Sequence, residues 1–324
     1  MKIGILGCGA YGLALSSVLD KNNDIIMWTK FEEEKNNLEE TRSNDKVLPG
    51  YKLDSNINIT TDLSSCINNS NLLIIVIPIS FLEETIISMK PYIKDHNILI
   101  ATKGITTEGL MAHEMVNKYL DTENVGVLSG PTFAIDLVSK NIAGFSIASK
   151  SNYIKEVVDK AFIKDHLKIE YITDLVGTEI CGSIKNVLAI SAGILNGLKT
   201  NESGQAMVIT GMINEIKNIL VGLKADTNTI LSLAGIGDIF LTCTSTKSRN
   251  FSLGKLIGEG KTNEEIDNYL NNTTVEGIYT LKAMKRLLDN NGIESKDIDI
   301  IYDIVFNERD PKDLLSYYVN KKSF

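Results

Sequence analysis

The chain lacks a basic surplus, a cysteine framework and a long apolar run, and each absence removes a class of function. Lysine and arginine number 33 against 41 aspartates and glutamates, for a net charge of −8 and a pI near 5.1. An acidic surface argues against nucleic acid or an anionic membrane as the main partner. Arginine occurs only at Arg42, Arg249, Arg286 and Arg309, so an anionic ligand must be drawn by local cations. The cysteines, Cys8, Cys66, Cys181 and Cys243, are scattered without a CxxC pair, which fits reduced buried thiols in the cytoplasm better than disulfides or a zinc site. His96, His113 and His166 have weakly patterned neighbours and no metal-ligand spacing, so surface positions and no metal are expected. The longest apolar run, Leu72 to Ile79, includes Pro78 and falls far short of the roughly 20 residues a bilayer requires, so no membrane span is expected. Glycine arrives before a signal-peptide core can form at the N-terminus.

What is present divides the chain in two. Apolar segments at 2–7, 24–28, 72–77, 98–101, 126–128 and 144–148 read as strands, with helical stretches such as 81–89 and 110–119 between them. Acidic Glu32-Glu-Glu34 and the residues after it read as a solvated helix face. Such alternation predicts a parallel sheet covered on both faces. After Asp174 strand signals fade, and helices are expected at 175–198, 204–223, 263–271, 276–290, 297–306 and 311–320. The expected architecture is a doubly wound α/β domain over 1–174 and an all-helical domain over 175–324, without a low-complexity linker.

Gly7-x-Gly9-x-x-Gly12 follows the first strand and opens a helix. In that setting the glycines allow a tight turn and bring backbone close to a dinucleotide pyrophosphate at the helix N-terminus. NAD-selective sites usually carry an acid about 20 residues on, at the end of the second strand. This chain has Trp28-Thr29-Lys30 there, so NADP is tolerated if Lys30 meets a 2′-phosphate; a solvent-exposed lysine is the other reading.

Lys185 sits in Glu179-Ile-Cys-Gly-Ser-Ile-Lys185-Asn186-Val, an otherwise small and apolar helical stretch. A charged amine there is costly unless paired, hydrated or used, and desolvation turns a lysine toward proton exchange near neutral pH. Asn186 adds an amide able to hold a substrate oxygen. Four further clusters follow strands or open loops: Ala101-Thr-Lys103-Gly104, Ser129-Gly130-Pro131-Thr132-Phe133-Ala134, Ala234-Gly-Ile-Gly237-Asp238 and Ser248-Arg249-Asn250. Arg249 is a planar fork suited to phosphate, with Ser248 and Asn250 as neutral donors. Lys103 and Lys185 can polarise a carbonyl, and Asp238 can charge-balance a lysine or cap a helix.

These motifs, with Val275-Glu276-Gly277, occur in an order that resembles the bacterial-type NAD(P)-dependent glycerol-3-phosphate dehydrogenases, from residue 3 to about 290. The resemblance implies a Rossmann-type N-terminal domain, NAD or NADP as cofactor, and interconversion of sn-glycerol 3-phosphate with dihydroxyacetone phosphate by hydride transfer. It implies Lys185 as the general acid/base, with Lys103, Asp238 and Asn186 in the catalytic set. Substrate contacts implied are Lys103, Gly130, Thr132, Lys185, Asp238, Ser248, Arg249 and Asn250. Cofactor contacts implied are Gly7, Gly9, Ala10, Tyr11, Gly12, Trp28, Lys30, Lys103, Ala134, Arg249 and Glu276. A cytoplasmic homodimer supplying phospholipid synthesis also follows from the resemblance. Gln205 and Gly211 depart from it, standing where such enzymes commonly carry basic residues. Two other readings share parts of the pattern. A dehydrogenase for a different alcohol leaves Ser248-Arg249-Asn250 and Gly237-Asp238 unexplained, and a dinucleotide-sensing binding protein has no need of Lys185, Asn186 and Asp238.

Overall fold

A computed structural model describes residues 1–245 and 248–321. It contains two compact units, Met1–Lys103 with Ala112–Leu175, and Gly104–Met111 with the chain from Val176 onward.

The first unit is built on eight strands: β1 Lys2–Leu6, β2 Asp24–Trp28, β3 Asn58–Thr60, β4 Leu72–Ile75, β5 Asn97–Ile100, β6 Val125–Ser129, β7 Ala143–Ala148 and β8 Leu167–Ile172. Their spatial order is β3-β2-β1-β4-β5-β6-β7-β8. β1 pairs in parallel with both β2 and β4, so the winding reverses at β1, and ligands bind such sheets beyond the carboxyl ends at that point. Every residue of β4, β5 and β6 is buried, as sheets covered on both faces require. The sheet is not wholly parallel. β7 runs antiparallel to β6, with Val127 opposite Ala148. Two strands were not anticipated from the sequence. β3 has only 3 residues, and β8, Leu-Lys-Ile-Glu-Tyr-Ile, is an edge strand whose polar residues dilute its apolar signal.

The second unit is helical and packs around Leu175–Gly197. By length and composition this helix is able to cross a membrane, although Glu179 and Lys185 interrupt its apolar sequence. However, 94% of its most apolar window is buried inside the protein, as in the core helix of a globular fold. It crosses the helix Arg249–Gly258 backbone to backbone. A Cβ on Gly254 would stand 1.9 Å from the Ile190 carbonyl oxygen, one on Gly258 2.2 Å from that of Ile194, and one on Gly193 2.1 Å from that of Phe251. Glycine on both helices is therefore what permits the approach, since any side chain there must drive the axes apart.

The expected boundary at 174 places Gly104–Met111 in the first domain, whereas the segment groups with the helical unit. Ile105 and Met111 explain the difference: both are 3% exposed within the helical core. Asn290 Nδ2 donates to the Glu108 carbonyl at 2.8 Å and fastens the segment further.

His96 also departs from expectation. It is buried, with Nδ1 accepting from the Lys94 amide at 3.0 Å and Nε2 3.1 Å from the Ile67 carbonyl, so it closes a turn rather than facing solvent. All four cysteines are free and buried.

Candidate active site

In the first unit the glycine loop joins β1 to the helix Ala10–Ser17. Gly7 has φ +125°, and the third glycine, Gly12, lies so close to it that a Cβ would meet the Gly7 carbonyl at 2.1 Å. Gly9, in contrast, has nothing within 4 Å of a would-be Cβ. One glycine makes the turn, one lets helix and strand touch, and one leaves backbone open. Those are the three roles a pyrophosphate cradle needs, and the residues present fit a dinucleotide.

Around this loop the sheet gathers several of the expected residues. Lys103 follows β5 and stands with its Nζ 5.8 Å from the centre of the Tyr11 ring. The Tyr11 hydroxyl is 2.7 Å from Thr132 Oγ1, beyond β6. Thr102, beside Lys103, is locked by a 2.9 Å bond to the Ile77 carbonyl. Gly130 lies against Phe145, with room for no side chain. Ala10 and Ala134 each begin a helix, Ala10–Ser17 and Ala134–Val138, and these two pack together. Trp28 is placed differently from a side-chain ligand. It is buried, its indole donates to the Thr61 carbonyl at 3.0 Å, and its own carbonyl accepts from Gly7 at 2.9 Å. It braces the loop. Lys30, at the end of β2, is ion-paired with Glu84 at 2.8 Å.

In the second unit Lys185 Nζ stands 2.5 Å from Asp238 Oδ1, the side chains 10% and 1% exposed. Two charges so desolvated persist only as a close pair. The sequence makes the pair in two ways. Lys185 rides mid-helix on Leu175–Gly197, and Asp238 is the first residue of the helix Asp238–Thr244, where the N-terminal dipole favours a carboxylate. The preceding turn is glycine-dependent, because a Cβ on Gly235 would meet the Ile230 carbonyl at 2.2 Å. Gly237 is the N-cap, so Asp238 is a first-turn residue and its side chain reaches Lys185. Thr242, one turn on, donates to the Asp238 carbonyl at 2.7 Å. The i, i+4 spacing was the available signal for Thr242, and the sequence reading missed it. Burial pushes the nearby Cys243 thiol up to about 12, against the pull of the Lys185 charge and with the Asp238 charge adding to the rise.

Asn186 is tied to Asn250. The Asn250 amide donates to Asn186 Oδ1 at 3.0 Å, and its oxygen accepts from the Gly277 amide at 2.8 Å. Asn250 thus links three helices, with both amide groups engaged inside the protein. Ser248 caps the helix Arg249–Gly258, its Oγ accepting from Phe251 at 3.3 Å, and Arg249 is exposed at the first helical position. Glu276 is exposed at the start of Glu276–Asn290. Gln205 donates to the Thr200 carbonyl at 2.8 Å, and Gly211 is buried within Glu202–Gly222. Among the described residues no group of three or more His, Cys, Asp or Glu is arranged to hold a metal ion.

Comparison with known proteins gives one consistent result. Residues 2–155 match the family model for the N-terminus of NAD-dependent glycerol-3-phosphate dehydrogenase, and residues 174–316 match that for its C-terminus. A glycerol-3-phosphate dehydrogenase [NAD(P)+] of Staphylococcus epidermidis is 34% identical, covering 95% of this chain and 94% of the relative. One of Leptospira biflexa is 33% identical, covering 97% and 96%. The crystal structure of glycerol-3-phosphate dehydrogenase from Coxiella burnetii superimposes with a TM-score of 0.90 at 28% identity, covering 99% of each chain. The glycine loop, the helix-borne lysine and the Ser248-Arg249-Asn250 cap all lie within the matched regions. The chain belongs to the NAD-dependent glycerol-3-phosphate dehydrogenase family.

Proposed function

We propose that the chain interconverts sn-glycerol 3-phosphate and dihydroxyacetone phosphate, with NAD(P) as hydride carrier and Lys185 as general acid/base. The observation that carries the reading is the buried Lys185–Asp238 pair at 2.5 Å. The Asp238 carboxylate fixes the Lys185 amine and balances its charge, and an ammonium so held is a proton donor of the kind a reacting oxygen needs. In the direction of reduction, Lys185 gives a proton to the oxygen on carbon 2 as hydride reaches that carbon; in oxidation it takes the proton back. Asp238 holds the amine in place and balances its charge in both directions. The dinucleotide, when bound, supplies or accepts the hydride.

The first unit is the cofactor domain in this reading, with Gly7, Gly9 and Gly12 forming the cradle and Ala10, Tyr11 and Ala134 beside it. Lys103, with Gly130 and Thr132, binds and polarises substrate, and Tyr11 steadies Thr132. From the second unit, Arg249 and the hydroxyl of Ser248 recognise the phosphate, and Asn250 acts by fixing Asn186. Glu276, also from this unit, contributes to cofactor binding. We take the enzyme to be a cytoplasmic homodimer serving phospholipid synthesis. The four buried free thiols agree with a reducing compartment, and Leu231 and Phe240, 75% and 69% exposed in the single chain, agree with an assembly surface.

The test is spectrophotometric. NADH or NADPH oxidation with dihydroxyacetone phosphate is expected for the wild type, and Lys185→Met is expected to lose turnover by at least about a thousandfold while still binding reduced nucleotide. Near-normal turnover in Lys185→Met would remove the proton-transfer role. Arg249→Ala is expected to raise the substrate KM markedly, and an unchanged KM would take Arg249 out of the phosphate site.

A further inference from the structure

The end of β2 carries a charge arrangement that bears on which dinucleotide is chosen, an inference that rests on the reading of the glycine loop as a dinucleotide cradle. The Gly7 amide donates to the Trp28 carbonyl at 2.9 Å, so the cradle and the end of β2 are bonded side by side. In such folds the adenosine ribose lies at that strand end, where an acid accepts from the 2′-hydroxyl of NAD and a cation meets the 2′-phosphate of NADP. Lys30 is the cation in position. It is not idle: its Nζ lies 2.8 Å from Glu84 Oε1, at the start of the helix Leu82–Met89, with the two side chains 55% and 65% exposed.

The rest of the neighbourhood is acidic. Glu34 accepts from Thr29 Oγ1 at 2.5 Å, Glu32 accepts from Thr61 Oγ1, and Glu33 is exposed between them in the first turn of Glu32–Thr41. Lys35, the next cation along the chain, stands 3.7 Å from Glu32 and 3.8 Å from Glu39. A 2′-phosphate brings about two negative charges at pH 7. Arriving here, it must either detach Lys30 from Glu84 or share it with a carboxylate. A ribose hydroxyl carries no charge and leaves the pair undisturbed.

We propose that Glu84, by holding Lys30, is the residue that makes this enzyme select NAD(H) over NADP(H). A carboxylate on the helix after β4 thereby sets the charge at the end of β2, where β2 itself carries no acid. Glu84 acts on selection through Lys30 and is remote from the proton transfer at Lys185.

Dissociation constants for NADH and NADPH, read from nucleotide fluorescence without substrate, test this in the wild type, Glu84→Gln and Lys30→Ala/Glu84→Gln. The wild type is expected to bind NADH about tenfold more tightly than NADPH. Glu84→Gln is expected to tighten NADPH about tenfold and leave NADH within about twofold. The double variant is expected to lose that gain, because the freed lysine is its source. Raising NaCl from about 0.05 to about 0.5 M should narrow the wild-type preference, since exposed charges are screened. The proposal is overturned if wild type binds NADPH as well as NADH, if Glu84→Gln leaves the ratio unchanged, or if the double variant keeps the full gain. Failure of the wild type to bind either nucleotide would instead overturn the cradle reading itself, and the selectivity proposal with it.

Discussion

Lys185 and Asp238 share one burial cost, and neither is tolerable alone. Removing a single partner from such a pair leaves an uncompensated charge in the core, at a cost of about 3–5 kcal/mol. Lys185→Met and Asp238→Ala are each expected to lower stability on that scale, and the double variant by clearly less than the sum, as chemical unfolding of the four proteins will measure. The thiols give a pH-dependent counterpart. Burial pushes Cys66 and Cys243 up to about 12 from an ordinary value of 9.0. The folded state therefore holds these protons more tightly than the unfolded chain does, and the associated stability is intact below pH 9 and is lost as pH rises from 9 toward 12. Melting temperature is expected to decline over that window less steeply in Cys66→Ala/Cys243→Ala than in wild type. At this scale the sequence was informative where cost was visible: a lysine amid Ile184, Ala189 and Ile190 signals pairing or use. It was silent where the partner is distant, as with Asn250, whose amide bridges Asn186, 64 residues away, and Gly277.

Helices and strands are held here by what glycine permits, and two glycines separate fold from function. Gly254→Ala puts a methyl 1.9 Å from the Ile190 carbonyl, where backbone must move. A loss of about 2–4 kcal/mol is expected, together with a higher substrate KM, because the same helix begins at Arg249. Gly9→Ala meets nothing within 4 Å, so its melting temperature should match wild type while NADH affinity falls, by calorimetry about tenfold or more. Length and pattern made the long elements legible, since Leu175–Gly197 is apolar over most of its length and Glu276–Asn290 carries an apolar stripe. Pattern failed for β3, too short to show alternation, and for β8, whose side chains are only half covered. The crossing of Leu175–Gly197 with Arg249–Gly258 was also hidden, because small residues register in a sequence as weak helix formers rather than as contacts.

At the scale of the molecule, strand–helix alternation followed by long helices made the α/β and helical regions legible, while the path of the chain between its two units was not. Gly104–Met111 follows a strand of the first unit and looks like its loop, and only Ile105 and Met111 betray a second allegiance. Ile105→Ala is expected to cost about 2–4 kcal/mol and to speed amide exchange along Glu276–Asn290 while leaving exchange in β1 unchanged. Equal acceleration in both would show that the segment serves the whole chain. The same segment sets a clock on biosynthesis. Glu108 emerges 182 residues before Asn290, the side chain that fastens it. At roughly 5–20 residues per second that is a wait of roughly 9–36 s, during which Ile105 and Met111 have only part of their core to enter. A ribosome stalled short of Asn290 should therefore present this stretch to protease and chaperone, and release of the full chain should close it.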